Sequence, residues 1–131
     1  MKMPILNVKV SGDKDAAVTK KVTALLLDCT TRILKKKANV TAITIHYVPR
    51  DCWVVGGELL SEQNKNSFYL DIKVTDETNT KDEKADYIRE VFTGFKDILG
   101  DLHNESYIYV EDVRAAAYGY GGRTQEFRYH Q

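Results

Sequence analysis

The chain has 131 residues, 43% hydrophobic and 29% charged, with 19 Lys and Arg against 19 Asp and Glu. This length and balance describe one globular domain, or two half-size units sharing a core, and exclude a disordered chain. A net charge of zero gives no global electrostatic case for a nucleic-acid or membrane-surface partner. Apolar runs of at most four residues, such as Ala24 to Leu27, exclude a membrane-spanning helix.

The N-terminus lacks the apolar stretch of a secretory leader, and two cysteines in such a chain read as reduced thiols, so the expected compartment is the cytoplasm. The zero charge hides a split. Residues 1–63 hold ten Lys and Arg against six Asp and Glu, a balance of +4; residues 64–131 hold nine against thirteen, a balance of −4. Two halves of similar length and opposite charge prompt a search for an internal repeat.

In chain order, Ile5-Leu6-Asn7-Val8-Lys9-Val10 alternates with period two, as a strand with one buried face does: Leu6, Val8 and Val10 share that face. Ser11-Gly12-Asp13 is a turn, with Asp13 the expected helix cap. Val18, Val22, Leu25, Leu26, Cys29 and Ile33 then recur at helical spacing, an amphipathic helix of about six turns closed by Lys35-Lys36-Lys37. Ile43 to Val48 alternates again and predicts a second strand, broken at Pro49-Arg50-Asp51. Trp53-Val54-Val55-Gly56-Gly57 predicts a short strand ending in a turn.

The second half repeats this order. Phe68 to Val74 predicts a strand, and Thr80-Lys81-Asp82-Glu83 fits a capping box. Ile88, Val91, Phe92, Phe95, Leu99 and Leu102 form a second apolar stripe, and Tyr107 to Val110 a fourth strand. Tyr118-Gly119-Tyr120-Gly121-Gly122 stands where the first half has Trp53 to Gly57.

The halves superpose: Asn7 to Val10 on Asp71 to Val74 at an offset of 64, the helix stripes at 66, and Trp53 with Gly56-Gly57 on Tyr118 with Gly121-Gly122 at 65. The predicted architecture is α+β, a single domain over 1–131 with internal repeats 4–62 and 67–131. Each repeat is a β-α-β unit with a right-handed parallel crossover. Side by side, the units give a four-stranded sheet with two helices on one face. The other face is expected to carry Leu, Ile, Val and Tyr, and therefore to pack against further copies in a homo-oligomer.

The Met3-Pro4-Ile5-Leu6 opening, together with Pro49-Arg50-Asp51-Cys52-Trp53-Val54-Val55-Gly56-Gly57-Glu58-Leu59 at the close of the first unit, resembles the tautomerase superfamily, of which 4-oxalocrotonate tautomerase is the best-known member. The two-unit length is similar to the branch of malonate semialdehyde decarboxylase and the chloroacrylic acid dehalogenases. The resemblance implies a homotrimer and a catalytic N-terminal proline, here Pro4. It implies no cofactor, and a small carboxylate-bearing enol or keto acid as substrate. An N-terminal secondary amine has a pKa of about 8, lowered by burial, and serves as general base and acid near neutrality. An internal proline is an amide without a basic nitrogen, so Met1-Lys2-Met3 must be removed for Pro4 to act.

The resemblance assigns carboxylate-binding arginines. The nearest match after the first strand is Lys14, the position early in the second strand is Ala42, and Asp76-Glu77-Thr78-Asn79 stands where the decarboxylase and dehalogenase branch has arginines. Trp53 matches the family's aromatic site wall. The expected site is therefore Pro4, Lys14 and Trp53, with Tyr107, Arg114 and Tyr118 as contributors from the second unit. Alternatives are a non-catalytic oligomeric binding protein on the same scaffold, or a decarboxylase or dehalogenase. The glycines lack a P-loop context, and His46, His103 and His130 form no metal-ligand spacing. Cys52 has no histidine placed by sequence to activate it.

Overall fold

The computed structural model describes residues 4–129; Met1 to Met3, which precede the expected catalytic proline, and His130 lie outside the described residues. The elements are β1 (Ile5–Ser11), α1 (Ala16–Arg32), β2 (Ala42–Val48), β3 (Val54–Val55), β4 (Glu58–Leu59) and α2 (Leu60–Gln63), then β5 (Phe68–Thr75), α3 (Lys81–Leu99), β6 (Tyr107–Val113), β7 (Gly119–Tyr120), β8 (Arg123–Thr124) and α4 (Gln125–Tyr129). Short 3-10 turns at Ala38–Val40, Arg50–Cys52 and Ala115–Ala117 join them.

The four long strands form one mixed sheet in the order β2-β1-β5-β6. β1 runs parallel to β2, and β5 parallel to β6, because a long helix carries the chain back in each case. β1 and β5 meet antiparallel in the middle, with Ile5 opposite Lys73 and Val10 opposite Phe68. One end of the sheet therefore holds the start of β1 and the end of β5, and the other holds the end of β1 and the start of β5.

Leu6, Val8 and Val10 of β1 and Phe68, Leu70, Ile72 and Val74 of β5 are buried under α1 and α3. α1 contributes Val22, Leu26 and Cys29, the predicted stripe. On α3 the buried line is Tyr87, Val91 and Phe95; Ile88, expected inside, is 40% exposed, and Leu102 is buried beyond the end of the helix. Tyr87 at i, i+4, i+8 with Val91 and Phe95 faces the sheet, and its hydroxyl meets the Thr30 hydroxyl of α1 at 3.0 Å. Phe95 stacks on Phe68 with ring centroids 3.9 Å apart.

Two local expectations change. The cap of α1 is Asp15 rather than Asp13: its Oδ1 accepts from the amides of Ala17 and Val18 at 2.8 and 3.2 Å. The helix is also shorter, ending at Arg32, and Lys36 turns inward to 4% exposure, donating to Thr78 Oγ1 at 2.9 Å. The capping box of α3 forms as predicted, with reciprocal bonds between Thr80 and Glu83.

The uncovered face differs from the expected Leu, Ile, Val and Tyr mixture. Leu6, Leu70 and Ile72 occupy the core phase of the alternation, which leaves the other phase largely polar. The register sets Thr44, Asn7, Asp71 and Tyr109 in one row and His46, Lys9, Tyr69 and Tyr107 in the next. Lys73 on this face pairs with Asp71 at 2.9 Å and Glu111 at 3.7 Å.

Candidate active site

The two Gly-Gly pairs make the same local structure. Gly56 and Gly57 have φ of 64° and 82°, and Gly121 and Gly122 of 62° and 77°. Two successive left-handed residues are what a two-residue hairpin of the right twist requires, so each pair closes a minimal hairpin, β3-β4 and β7-β8. These hairpins carry Trp53 and Tyr118 at their bases.

Each hairpin lies across the start of a strand from the opposite half. Tyr118, Gly119 and Tyr120 line a cavity of about 500 Å³ with Pro4, Ile5 and Asn39 to Ala42. Trp53, Val54, Val55 and Gly56 line one of about 560 Å³ with His103, Glu105 and Tyr107, which lead into β6. A third cavity of about 370 Å³ shares Trp53, Val54 and Tyr107 and adds Lys9, Val48, Cys52 and Tyr69. The antiparallel β1-β5 pairing causes the exchange: the first strand begins at the sheet end where the second half's hairpin emerges, and the reverse.

The expected site residues are thereby divided. Pro4 is buried, its carbonyl accepting from Ala42 N at 3.2 Å, in the cavity with Tyr118. The Tyr118 hydroxyl is 2.5 Å from Thr75 Oγ1, which pins the ring to the end of β5. Trp53 and Tyr107 sit together at the other end of the sheet. Arg114 lines a separate cavity of about 410 Å³ with Thr75, Asp76, Glu77 and Glu126. Lys14 is exposed in the turn before α1 and lines none of these cavities.

The Pro4 cavity is walled by apolar side chains, two tyrosines and the polar residues Asn39 and Thr41; among the described residues no Lys or Arg lines it. An amine at Pro4 would lie in an environment that disfavours its charged form, as a neutral-pH base requires. Among the described residues no group of three or more His, Cys, Asp or Glu is placed to hold a metal ion. No described helix is long and apolar enough to cross a membrane.

The Trp53 cavity is more polar. Tyr107 donates its phenol to Glu105 Oε2, a bond that raises the phenol's pKa and keeps it protonated. Glu105 N donates to His103 Nδ1 at 2.9 Å. Gln63 Nε2 donates to the carbonyls of Val55 and Glu58 at 2.9 and 3.0 Å, locking the hairpin. Sequence reasoning did not find His103, Glu105, Lys9, Asn39 or Tyr120. The offset of about 65 that pairs Trp53 with Tyr118 also pairs Asn39 to Ala42 with the segment before Tyr107, and was the available signal.

No family model matches the chain, and no curated protein matches it by sequence. Solved structures do. A fused 4-OT, a symmetric trimer, superposes with a TM-score of 0.80 at 15% identity, over 93% of this chain and 96% of that one. A macrophage migration inhibitory factor-like protein from Entamoeba histolytica gives 0.76 at 16% identity, over 93% and 98%. The FG41 malonate semialdehyde decarboxylase inhibited by 3-bromopropiolate gives 0.74 at 10%, over 97% of each chain. The chain thus has the tautomerase-superfamily fold.

Proposed function

We propose that this chain, with Pro4 as its first residue, is a tautomerase-type enzyme acting on a small enol or keto acid. The observation that carries the reading is the cavity of about 500 Å³ lined by Pro4, Tyr118 and Tyr120. The neutral Pro4 amine would take the enol O–H proton and return a proton to carbon, leaving the carbonyl and the free amine. Its apolar surroundings support a lowered amine pKa, and positioned acid–base catalysis of this kind contributes about 10²–10⁴-fold.

The fused 4-OT trimer supports assembly of three copies of this chain through the open sheet face, where one buried oxygen of Asp71, Oδ1, has no partner. Two free thiols, Cys29 and Cys52, support a reducing compartment such as the cytoplasm. The two halves read as repeats 4–62 and 67–131 of one unit within a single domain.

That no Lys or Arg among the described residues lines the Pro4 cavity, with Ala42 at the expected anchor position, favours a second reading, a binding protein without catalysis. One experiment separates them: ketonisation of phenylenolpyruvate by chains beginning at Met1 and at Pro4. The enzyme reading expects activity only in the Pro4 form, and a loss of at least 100-fold in Pro4→Ala. Equal rates in all three proteins sink the proline mechanism and leave the binding protein.

A further inference from the structure

The cavity at Trp53 occupies the place in the second half that the Pro4 cavity occupies in the first. At the offset of 64 relating β1 to β5, the residue matching Pro4 is Phe68, fully buried and stacked on Phe95. That end of the sheet therefore has the same shell, a hairpin laid over the approach to a strand, without any proline. Its lining differs in charge as well as in size.

The two cavities at this end adjoin through a shared wall of Trp53, Val54 and Tyr107. Lys9 borders only the smaller one, between His46 and Tyr69 in the sheet register. Glu58, Glu105 and His103 border only the larger one. Glu105 is engaged by the Tyr107 phenol, and His103 Nδ1 by an amide. Among the described residues, neither the Lys9 ammonium nor the Glu58 carboxylate has a hydrogen-bond or ion-pair partner. Unpartnered charges of opposite sign thus stand on either side of an aromatic wall formed by the chain's one tryptophan and Tyr107.

We infer that this double cavity is a second ligand site, separate from Pro4, for a small dipolar molecule with a planar apolar body. Its carboxylate is met by Lys9 and its ammonium by Glu58, with the body against Trp53 and Tyr107. A ligand charged at only one end leaves one of these groups without a partner. Both charged groups are exposed, as is Tyr107, so each pair is partly screened by solvent and the aromatic wall supplies the apolar contact.

Trp53, being the only tryptophan, reports occupancy directly through its fluorescence. The test titrates the purified full chain with 4-(aminomethyl)benzoate, benzoate and benzylamine. The dipolar probe is expected to bind about fivefold tighter than either singly charged one, as the one additional, partly screened ion pair allows. In Lys9→Gln its advantage over benzylamine falls to within about twofold, and in Glu58→Gln its advantage over benzoate does the same. Pro4→Ala leaves all three affinities unchanged, so failure of the proline mechanism does not touch this site. Equal binding of the three probes, no Trp53 response to any of them, or a Lys9→Gln protein with the wild-type ranking overturns the inference.

Discussion

Pro4 and Tyr118 line one cavity, although Tyr118 stands in the second half of the chain and Trp53, its counterpart in Pro4's own half, lies at the opposite end of the sheet. The antiparallel junction of β1 with β5 makes this exchange, and each site is therefore built from both halves. Neither the Pro4 cavity nor the Trp53 cavity is complete within one half.

Gly119 is what lets the hairpin close over Pro4. A Cβ there would lie 1.8 Å from the Arg123 carbonyl oxygen, which is backbone and cannot step aside. Gly119→Ala is expected to open the β7-β8 hairpin and release the Tyr118–Tyr120 wall. Hydrogen exchange should quicken over 119–124, with ligand binding in the Pro4 cavity lost. The urea midpoint should barely move, because the hairpin lies outside the core. Gly94→Ala is the contrast: its Cβ meets the Leu25 side chain at 2.3 Å between α1 and α3, and overpacking there should cost about 1–3 kcal/mol in the same melt.

The Thr30–Tyr87 hydrogen bond is a buried polar link between the two long helices, beside the exposed Arg32–Glu90 pair. Both residues are fully buried, and burial pushes the Tyr87 phenol well above its usual pKa, so it stays protonated. Tyr87→Phe leaves the Thr30 hydroxyl without its partner and should cost about 1–3 kcal/mol. Thr30→Val added to it should restore part of that loss. Additive single and double losses in chemical denaturation would show that the two groups are not coupled.

Acid sensitivity should trace in part to Glu83. Its carboxylate accepts from the Thr80 amide and from Asn79, which holds its pKa below the usual carboxylate range. A group depressed in the folded state stabilises above its unfolded pKa, and that contribution disappears as pH falls through the folded value. Wild type should exceed Glu83→Gln in stability at pH 6–7, and the gap should shrink as the pH drops below about 4.5. A gap independent of pH would assign the effect to packing.

The two thiols should differ in reactivity. Burial pushes the Cys29 thiol up to about 11, whereas Cys52 is exposed. A thiol reagent at pH 8 should label Cys52 within the mixing time and Cys29 only on unfolding. Labelling of both at the native rate would mean that α1 opens locally.

Much of the architecture is written in local patterns. Alternation at Leu6, Val8 and Val10 places the core face of β1, Thr80 and Glu83 start α3, and each Gly-Gly pair makes a hairpin. Patterns with a near competitor are less legible. Asp13 and Asp15 are equally good caps by residue type, and only the local backbone geometry selects Asp15. Ile88 and Tyr87 are adjacent on α3, and the direction of the helix axis over the sheet buries the tyrosine. Lys36 reads as a terminal cation, yet the short loop after α1 turns it inward to Thr78.

By itself, then, the sequence determines the elements and their doubled order, because periodicity, caps and turn residues act over a few positions. It also supplies Pro4, Trp53 and Tyr118 as separate candidates. Which of them meet is decided only by the tertiary structure. Pairing β1 with β5 is a long-range choice of direction, and that direction sets Pro4 with Tyr118 and Trp53 with Tyr107, leaving Lys14 outside both cavities and Arg114 at a third.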